Sequence, residues 1–344
     1  MKEKLTIKDI AKALNTTAAT VSRALHDHPR ISYETKTRIL EYASENNFKL
    51  NKIASSLRSG QTQVIGVMIP SAEINFFGSV IHGIESEANT EGYTVLIYQT
   101  NEKKEYEIKG LETFLSARVD GILVSLAKDT DDFEHFSKIK NMGIPIVFFD
   151  RNQDQLGISS VVVDDYKGAY LATQHLIDNG YENIAHITGP AHIKIFNDRL
   201  NGYKQALKDN GLKFKSSMLY AGNISIESGR AGVKKLFKKN SKVDAIFAVE
   251  DFTALGALKE LKLMGIKIPG EMGVIGFANE KFDEHLSPSL SSIDQQTVRM
   301  GQEAFKLILE QIQKKRANEK AEIKNVILEP LPYFRESSNK QYEY

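Results

Sequence analysis

From Val64 onward the chain repeats one pattern. A short apolar run without polar alternation is followed by a longer stretch with apolar residues at helical spacing. VIGVMIP opens the series and leads to a helical pattern from Phe76 to Glu91. YTVLIY precedes a helix ending near Leu115, DGILVSL one ending near Met142, and IPIVFF and SSVVVDD close a first block. A second block starts with a helix over 166–179. It continues through NIAHITG, a helix over 196–210, SMLYAG, a helix over 225–238, DAIFAVE, a helix over 251–264 and EMGVIGF. Strands that lack a polar face must be covered on both sides, and helices between them make them parallel. Two such blocks predict an α/β unit of two doubly wound parallel-sheet subdomains. Ligands of these sheets bind beyond the carboxyl ends of the strands, so two facing sheets place a ligand in the cleft between them.

Polar residues recur at that topological place. Asp150 and Arg151 follow IPIVFF, Glu250 and Asp251 follow DAIFAV, and Asn279 and Glu280 follow MGVIGFA. Any one of these alone reads as a solvated loop residue. Their repetition at one end of the sheets points to hydrogen bonding of a polyol or similar small molecule.

The first 62 residues follow a different rule. LTIKDIAKALNTTAATVSRAL, residues 5–25, reads as two short helices joined by a tight turn, the second small enough to enter a DNA groove. Thr6 is the expected N-cap of a helix over Ile7 to Leu14, with Ile7, Ile10, Ala11 and Leu14 at helical spacing. Asn15 and Thr16 break it, and Thr17 caps a second helix running through Val21 to Leu25. A third helix is expected from Ser32 to Asn47, offering Ile39, Leu40, Ala43 and Phe48 to a minimal core. NKIASSLRSGQT, residues 51–62, is small and polar, yet Ile53, Ala54 and Leu57 keep helical spacing. A helix this short is unstable alone, so the segment reads as a linker that becomes helical when bound.

Charge divides the chain in the same way. Net charge is +1 overall, but residues 1–60 hold 11 Lys/Arg against 6 Asp/Glu, and the remainder holds 34 against 38. Positive charge therefore concentrates in the small N-terminal part, as phosphate binding requires. The chain's 344 residues leave room for two or three domains, and the 41% hydrophobic and 26% charged fractions are those of a globular protein. No run approaches the ~18 apolar residues of a membrane span. MKEKLTIKDI carries charges where a secretory signal needs an apolar stretch. The absence of cysteine excludes disulfides and thiolate metal sites, and suits a reducing cytoplasm. No phosphate-binding loop, dinucleotide fingerprint, nucleophile elbow or HExxH helix occurs. His26 and His28 flank Asp27 without further ligands and read as turn residues. No catalytic residue, metal or cofactor is therefore assigned.

TIKDIAKALNTTAATVSRAL, NKIASSL and VIGVMIP together, at this spacing and over essentially the whole chain, resemble the lactose-repressor (LacI/GalR) family of bacterial transcription regulators. The resemblance implies an all-α helix-turn-helix DNA-binding domain over 1–50 and a hinge over 51–62. It further implies a periplasmic-binding-protein-like effector domain, with one subdomain from 63–164 and 294–328 and the other from 165–293 and 329–344. The function implied is that of a cytoplasmic homodimeric repressor, not an enzyme. It binds near-palindromic operator DNA and answers to a small effector, a sugar, of a carbohydrate-utilisation cluster. The alternative is a sugar-binding protein without regulatory role, against which the basic N-terminal helices argue.

Residue by residue, the resemblance places Thr17, Ala18 and Ala19 where family members contact bases. Arg23, about a turn further on, is the strongest base reader, since arginine makes bidentate contacts to guanine. Thr6, Thr20 and Ser22 are phosphate anchors. In the hinge, Leu57 matches the family's wedge residue, Asn51 and Ala54 also match, and Arg58 replaces the arginine usual at Ser55. In the effector domain, Asn75, Phe76 and Phe77 stand for an Asn-Pro-Phe-Phe pattern, with Asn75 at the proline. Arg151, after Asp150, and Arg199 match arginines that bind sugar hydroxyls. Glu250 and Asp251 stand where Asn-Asp is usual, Asn279 follows Ala278 where an aspartate is usual, and Gln295 matches a glutamine at the last crossover.

Overall fold

In the computed structural model the described residues are 5–25, 27–46, 48, 61–239 and 242–341. The chain divides into two compact units, Met1–Thr62 and Gln63–Tyr344. Asn51, Ala54, Leu57 and Arg58, expected from the sequence to form a hinge, lie outside the described residues.

The smaller unit holds α1 (Ile7–Ala13), α2 (Ala18–Leu25) and α3 (Tyr33–Glu45). A reciprocal cap starts α1: Thr6 Oγ1 accepts from Asp9 N at 3.3 Å, and the Asp9 carboxylate accepts from Thr6 N at 2.9 Å. Asn15 takes a left-handed φ of 51° in the turn that follows, a conformation asparagine tolerates better than most residues. Thr17 Oγ1 accepts from Thr20 N at 3.1 Å and opens α2, and Ser32 caps α3. Arg38 reaches back from α3 to the carbonyl of Leu14, at 3.1 Å, and so closes the end of α1. Ile10, Ala11, Val21, Ala24, Ile39 and Ala43 form the core. Leu40, expected in that core, is 42% exposed. Ile39 and Ala43 share the inward face at i, i+4, and Leu40 lies about 100° round the helix from Ile39.

The larger unit begins with β1 (Val64–Ile69), α4 (Asn75–Thr90), β2 (Thr94–Gln99), α5 (Lys104–Ser116), β3 (Gly121–Val124), α6 (Glu134–Asn141), β4 (Ile146–Phe149) and β5 (Ser159–Val163). There follow α7 (Asp165–Asp178), β6 (Ile184–Thr188), α8 (Lys194–Asp209), β7 (Leu219–Ala221), α9 (Ile226–Lys239), β8 (Ala245–Ala248), α10 (Asp251–Leu263) and β9 (Gly273–Ile275). The last elements are β10 (Ser292–Asp294), α11 (Thr297–Arg316), β11 (Asn325–Leu328) and β12 (Leu331–Tyr333).

These strands form two parallel sheets. One has the order β11-β5-β4-β3-β1-β2 and the other β7-β6-β8-β9. Central strands are buried along their length, whereas the edge strand β2 leaves Ile97 half exposed. The chain passes between the lobes three times. It leaves the first sheet after β5, returns after β10 through α11 to reach β11, and leaves again to pair β12 antiparallel with β10. Apolar clusters on the two faces of the first sheet and on those of the second sheet make up the core.

The closest helix crossing in the first lobe sets a steric limit. A Cβ at Gly83 on α4 would lie 2.1 Å from the Val298 carbonyl of α11, and one at Gly301 on α11 would lie 2.1 Å from the Val80 carbonyl of α4. Only glycine lets these backbones meet. Gly83→Val should therefore cost about 3 kcal/mol by overpacking and lower the urea midpoint; an unchanged midpoint would mean the two helices separate at little cost.

Candidate functional site

A cavity of about 380 Å³ opens between the lobes of the larger unit, at the carboxyl ends of the strands. It is built by the loop into α4, the first turns of α8, the start of α9, and the exits of β3, β4, β8, β9 and β10. Phe76, Phe77, Ile195, Phe196, Ile224 and Phe252 supply apolar wall, and Asp150, Arg151, Arg199, Glu250, Glu280 and Gln295 supply polar groups. Three non-glycine residues at these exits hold positive φ: Asp150 at 60°, Ala278 at 143° and Asn279 at 54°. Such strain persists only where surrounding contacts impose it, and it clusters at ligand sites.

Both arginines are buried and held by carboxylates. Arg199, 3% exposed, donates from Nε to Asp165 at 2.7 Å, from Nη1 to the Val249 carbonyl at 2.6 Å and from Nη2 to Gln295 Oε1 at 3.1 Å. Its guanidinium lies 3.7 Å over the Phe277 ring, a cation–π arrangement. Burial outweighs the arginine and pushes the Asp165 carboxyl up to about 6. Arg151 donates from Nη1 to Glu102 at 2.8 Å and to the Leu126 carbonyl at 3.1 Å, while its Nε has no hydrogen-bond acceptor. Burial acts against ionisation of Glu102, but Arg151 beside it holds the carboxyl below its ordinary value.

The cavity acids are desolvated. Burial raises Asp150, whose carboxylate accepts from Ser125 Oγ at 3.0 Å. Glu250 is also raised by burial. It caps α10, accepting from Phe252 N at 2.9 Å and Thr253 N at 2.6 Å. Glu280 is raised for the same reason and accepts from Asn75 Nδ2 at 3.2 Å, a bond between the two lobes. These oxygens are hydrogen-bond acceptors facing a space of ligand size.

Of the effector residues read from the sequence, Phe76, Phe77, Asp150, Arg151, Arg199, Glu250 and Gln295 line this cavity. Asn75, Asp251 and Asn279 are absent from its lining. Asn75 stands behind Glu280. Asp251 is fully buried and accepts from Ser292 Oγ at 2.7 Å and Glu280 N at 3.0 Å. Asn279 spans Asp294, at 3.1 Å, and Arg335, at 2.7 Å. Ile195, Phe196, Ile224, Phe252 and Lys128 were not singled out from the sequence. Phe252 directly follows the Glu250-Asp251 pair, and Ile195-Phe196 sits one turn before Arg199, so proximity to those residues was the available signal.

On α2, Val21 and Ala24 are buried while Ala19 and Arg23 are exposed. Ala19, Ser22 and Arg23 fall at i, i+3, i+4 and share one face. Ala18 is half-buried. Thr17 and Thr20 hydroxyls bond each other at 2.9 Å, and the Thr6 hydroxyl is bound to Asp9 at 2.6 Å. His28 is a turn residue, its Nδ1 accepting from Arg30 N at 3.2 Å. Among the described residues no cluster of three or more metal-ligating side chains occurs, and no helix is long and apolar enough to cross a membrane.

A helix-turn-helix unit and a two-lobed α/β unit with an interlobe cavity define the class of ligand-responsive regulators. Residues 6–51 match the model of "Bacterial regulatory proteins, lacI family", and residues 62–337 match "Periplasmic binding proteins and sugar binding domain of LacI family". The chain belongs to the LacI family of bacterial regulatory proteins. It is 34% identical over 309 residues to the ribose operon repressor of Bacillus subtilis, covering 90% of this chain and 92% of that one. It is 30% identical over 311 residues to catabolite control protein A of Priestia megaterium, covering 90% and 93%. The fold is similar to that of the lac repressor dimer bound to operator and the anti-inducer ONPF, with a TM-score of 0.86 over 98% of this chain and 99% of that one at 22% identity.

The two arginines should differ in structural weight. Arg199→Ala leaves Asp165 buried without a partner and should cost about 3–5 kcal/mol. Arg151→Ala leaves Glu102 with Lys128 at 3.3 Å and should cost clearly less. Denaturant unfolding of both variants checks the order; equal losses would contradict the placement of Arg199 as the deeper anchor.

Proposed function

We propose that the chain is a homodimeric, cytoplasmic transcriptional repressor whose operator affinity is set by a sugar-like effector in the interlobe cavity. One observation carries this: a DNA-recognition unit with its basic charge shares one chain with a cavity walled by aromatic rings, buried arginines and desolvated carboxylates. Residues 1–50 form the DNA-binding domain, 51–62 the hinge, 63–164 with 294–328 one subdomain, and 165–293 with 329–344 the other. In this reading Arg23 reads a guanine, Ala18 and Ala19 lie against thymine methyls, and Thr6, Thr17, Thr20 and Ser22 hold the backbone. Asn51, Ala54, Leu57 and Arg58 enter the minor groove, Leu57 as the wedge.

In the cavity, Phe76 and Phe77 supply the aromatic wall against a sugar ring. Asp150, Glu250 and Glu280 accept from its hydroxyls, and Arg151, Arg199 and Gln295 complete the polar set. Asn75, Asp251 and Asn279 act one layer behind, by positioning Glu280 and the β9 exit. Effector and operator are then linked reciprocally, each changing the other's affinity by one factor. Two-fold symmetry of the dimer requires two half-sites in a near-palindrome.

A gel shift with the full chain on the DNA upstream of its own gene tests the regulator. A sequence-dependent, salt-sensitive complex is expected; no such complex on that DNA or on any selected site would sink the proposal. Leu57→Ala should weaken operator binding by about tenfold or more, with sugar binding unchanged. Equal operator affinity would remove Leu57 from the groove. Arg151→Ala should abolish the effector's influence on the shifted complex, and a retained response would move the effector site elsewhere.

A further inference from the structure

A second cavity of about 110 Å³ adjoins the first, and the two share Lys128, Arg151 and Ile195 in their walls. Their linings differ in acidity. The main cavity contains Glu73, Asp150, Glu227, Glu250 and Glu280 beside Arg199 and the shared Lys128 and Arg151. The annex contains Lys128, Arg151, His192 and Lys194 and no acidic residue.

The carboxylates that pair with the annex cations stand outside its lining. Glu102 is shared between Arg151 Nη1 at 2.8 Å and Lys128 Nζ at 3.3 Å, and Asp150, 3.8 Å from Arg151 Nε, lines the main cavity. Lys194 has Asp198 at 3.0 Å, but both groups are substantially exposed and such a pair is weak. The start of α8 adds to this. Ile193, Lys194 and Ile195 border the annex, and the cap residue Ile193 offers no side-chain acceptor to the first turn. The positive end of a 16-residue helix therefore faces the space uncapped.

An independent feature also calls for an acceptor. Arg151 is 8% exposed, and its Nε–H is buried without a hydrogen-bond partner. The nearest carboxylate oxygen, on Asp150, is 3.8 Å away, beyond hydrogen-bond range. A buried donor left unpaired is costly, and an oxygen from a ligand would satisfy it.

We propose that the effector carries an anionic substituent, a phosphate or a carboxylate, that occupies this annex while its hydroxylated body fills the main cavity. The proposal rests on the sugar reading of the main cavity. The annex volume is several times the ~30 Å³ share of a water molecule, enough for such a group. The acid-lined wall of the main cavity repels the same charge, so the sign of the lining decides which end of the ligand enters which compartment. His192 Nε2, at 3.0 Å from the Lys128 carbonyl, ties the two sides of the annex together across the lobes.

Calorimetry on the full chain with matched ligands tests this. The probes are ribose against ribose 5-phosphate, glucose against glucose 6-phosphate and glucuronate, and inorganic phosphate as competitor. For the sugar that binds, the anionic member should bind at least about tenfold more tightly, with an advantage that shrinks as salt rises and that inorganic phosphate erodes. A gain confined to phosphates identifies a phosphoryl group; a gain shared by glucuronate identifies anionic charge in general. The double variant His192→Gln, Lys194→Gln, which leaves Arg151, Lys128 and the α8 N-terminus in place, should lower the anionic-to-neutral affinity ratio several-fold. A neutral sugar that binds as tightly as its anionic partner, or a ratio unchanged in the double variant, overturns the annex and leaves the sugar reading standing. Failure of the whole panel to bind would overturn both.

Discussion

The guanidinium of Arg199 is the point on which the larger unit turns. It sits on α8 in the second lobe, yet its partners come from three different parts of the chain. Asp165 opens α7 just after the chain leaves the first sheet. The Val249 carbonyl belongs to the exit of β8. Gln295 lies in the connection that returns the chain to the first lobe. One buried cation thus joins two of the three crossovers to a strand end that walls the cavity. A charge this deeply desolvated is tolerable only while all its partners stay in place. The relative position of those segments is therefore defined by chemistry at the site itself, and any ligand that takes a proton or a hydrogen bond from this network acts directly on the crossovers.

The sheets were legible in the sequence because period decides them. Apolar runs without alternation between helical stretches admit few arrangements, and every strand from VIGVMIP to EMGVIGF lies within a residue or two of its expected place. What followed Phe277 was not legible by that rule. Ser292–Asp294 lie outside the series of apolar runs, and β10 exists there because β12, almost 40 residues later, pairs with it. The strand β11 likewise depends on pairing with β5 across a long separation. Leu40 marks the same limit at small scale: composition offers it to a core, but the helical turn carries it outward.

The site was legible to the level of strand exits and no further. Position at an exit places a residue near the cavity; the backbone conformation there decides whether its side chain enters. Ala278 and Asn279 both hold positive φ. Asn279 is bonded to Asp294 and Arg335, and Glu280, one residue later, lines the cavity instead. Asp251 is claimed by Ser292 and the Glu280 amide for the same geometric reason. Arg151 shows the complementary case. Its side chain was expected to meet a ligand, but its principal partner, Glu102, comes from the loop after β2, which no local pattern connects to it.

The DNA-facing helix obeys a stricter economy than the cavity. Val21 and Ala24 must pack the small core, and the Thr17 and Thr20 hydroxyls bond each other. Ala19 and Arg23 are the exposed residues of the shared face. Under the proposed function, one arginine and a methyl-sized surface can discriminate few base pairs directly, since each good bidentate contact separates right from wrong base by only about 1–3 kcal/mol. The remaining discrimination must come from the cost of deforming the operator, which is read at positions no side chain touches. A recognition helix this sparse makes operator affinity depend on whatever stabilises the bent DNA. Under the proposed function, that dependence assigns the regulatory leverage to the proposed hinge, residues 51–62.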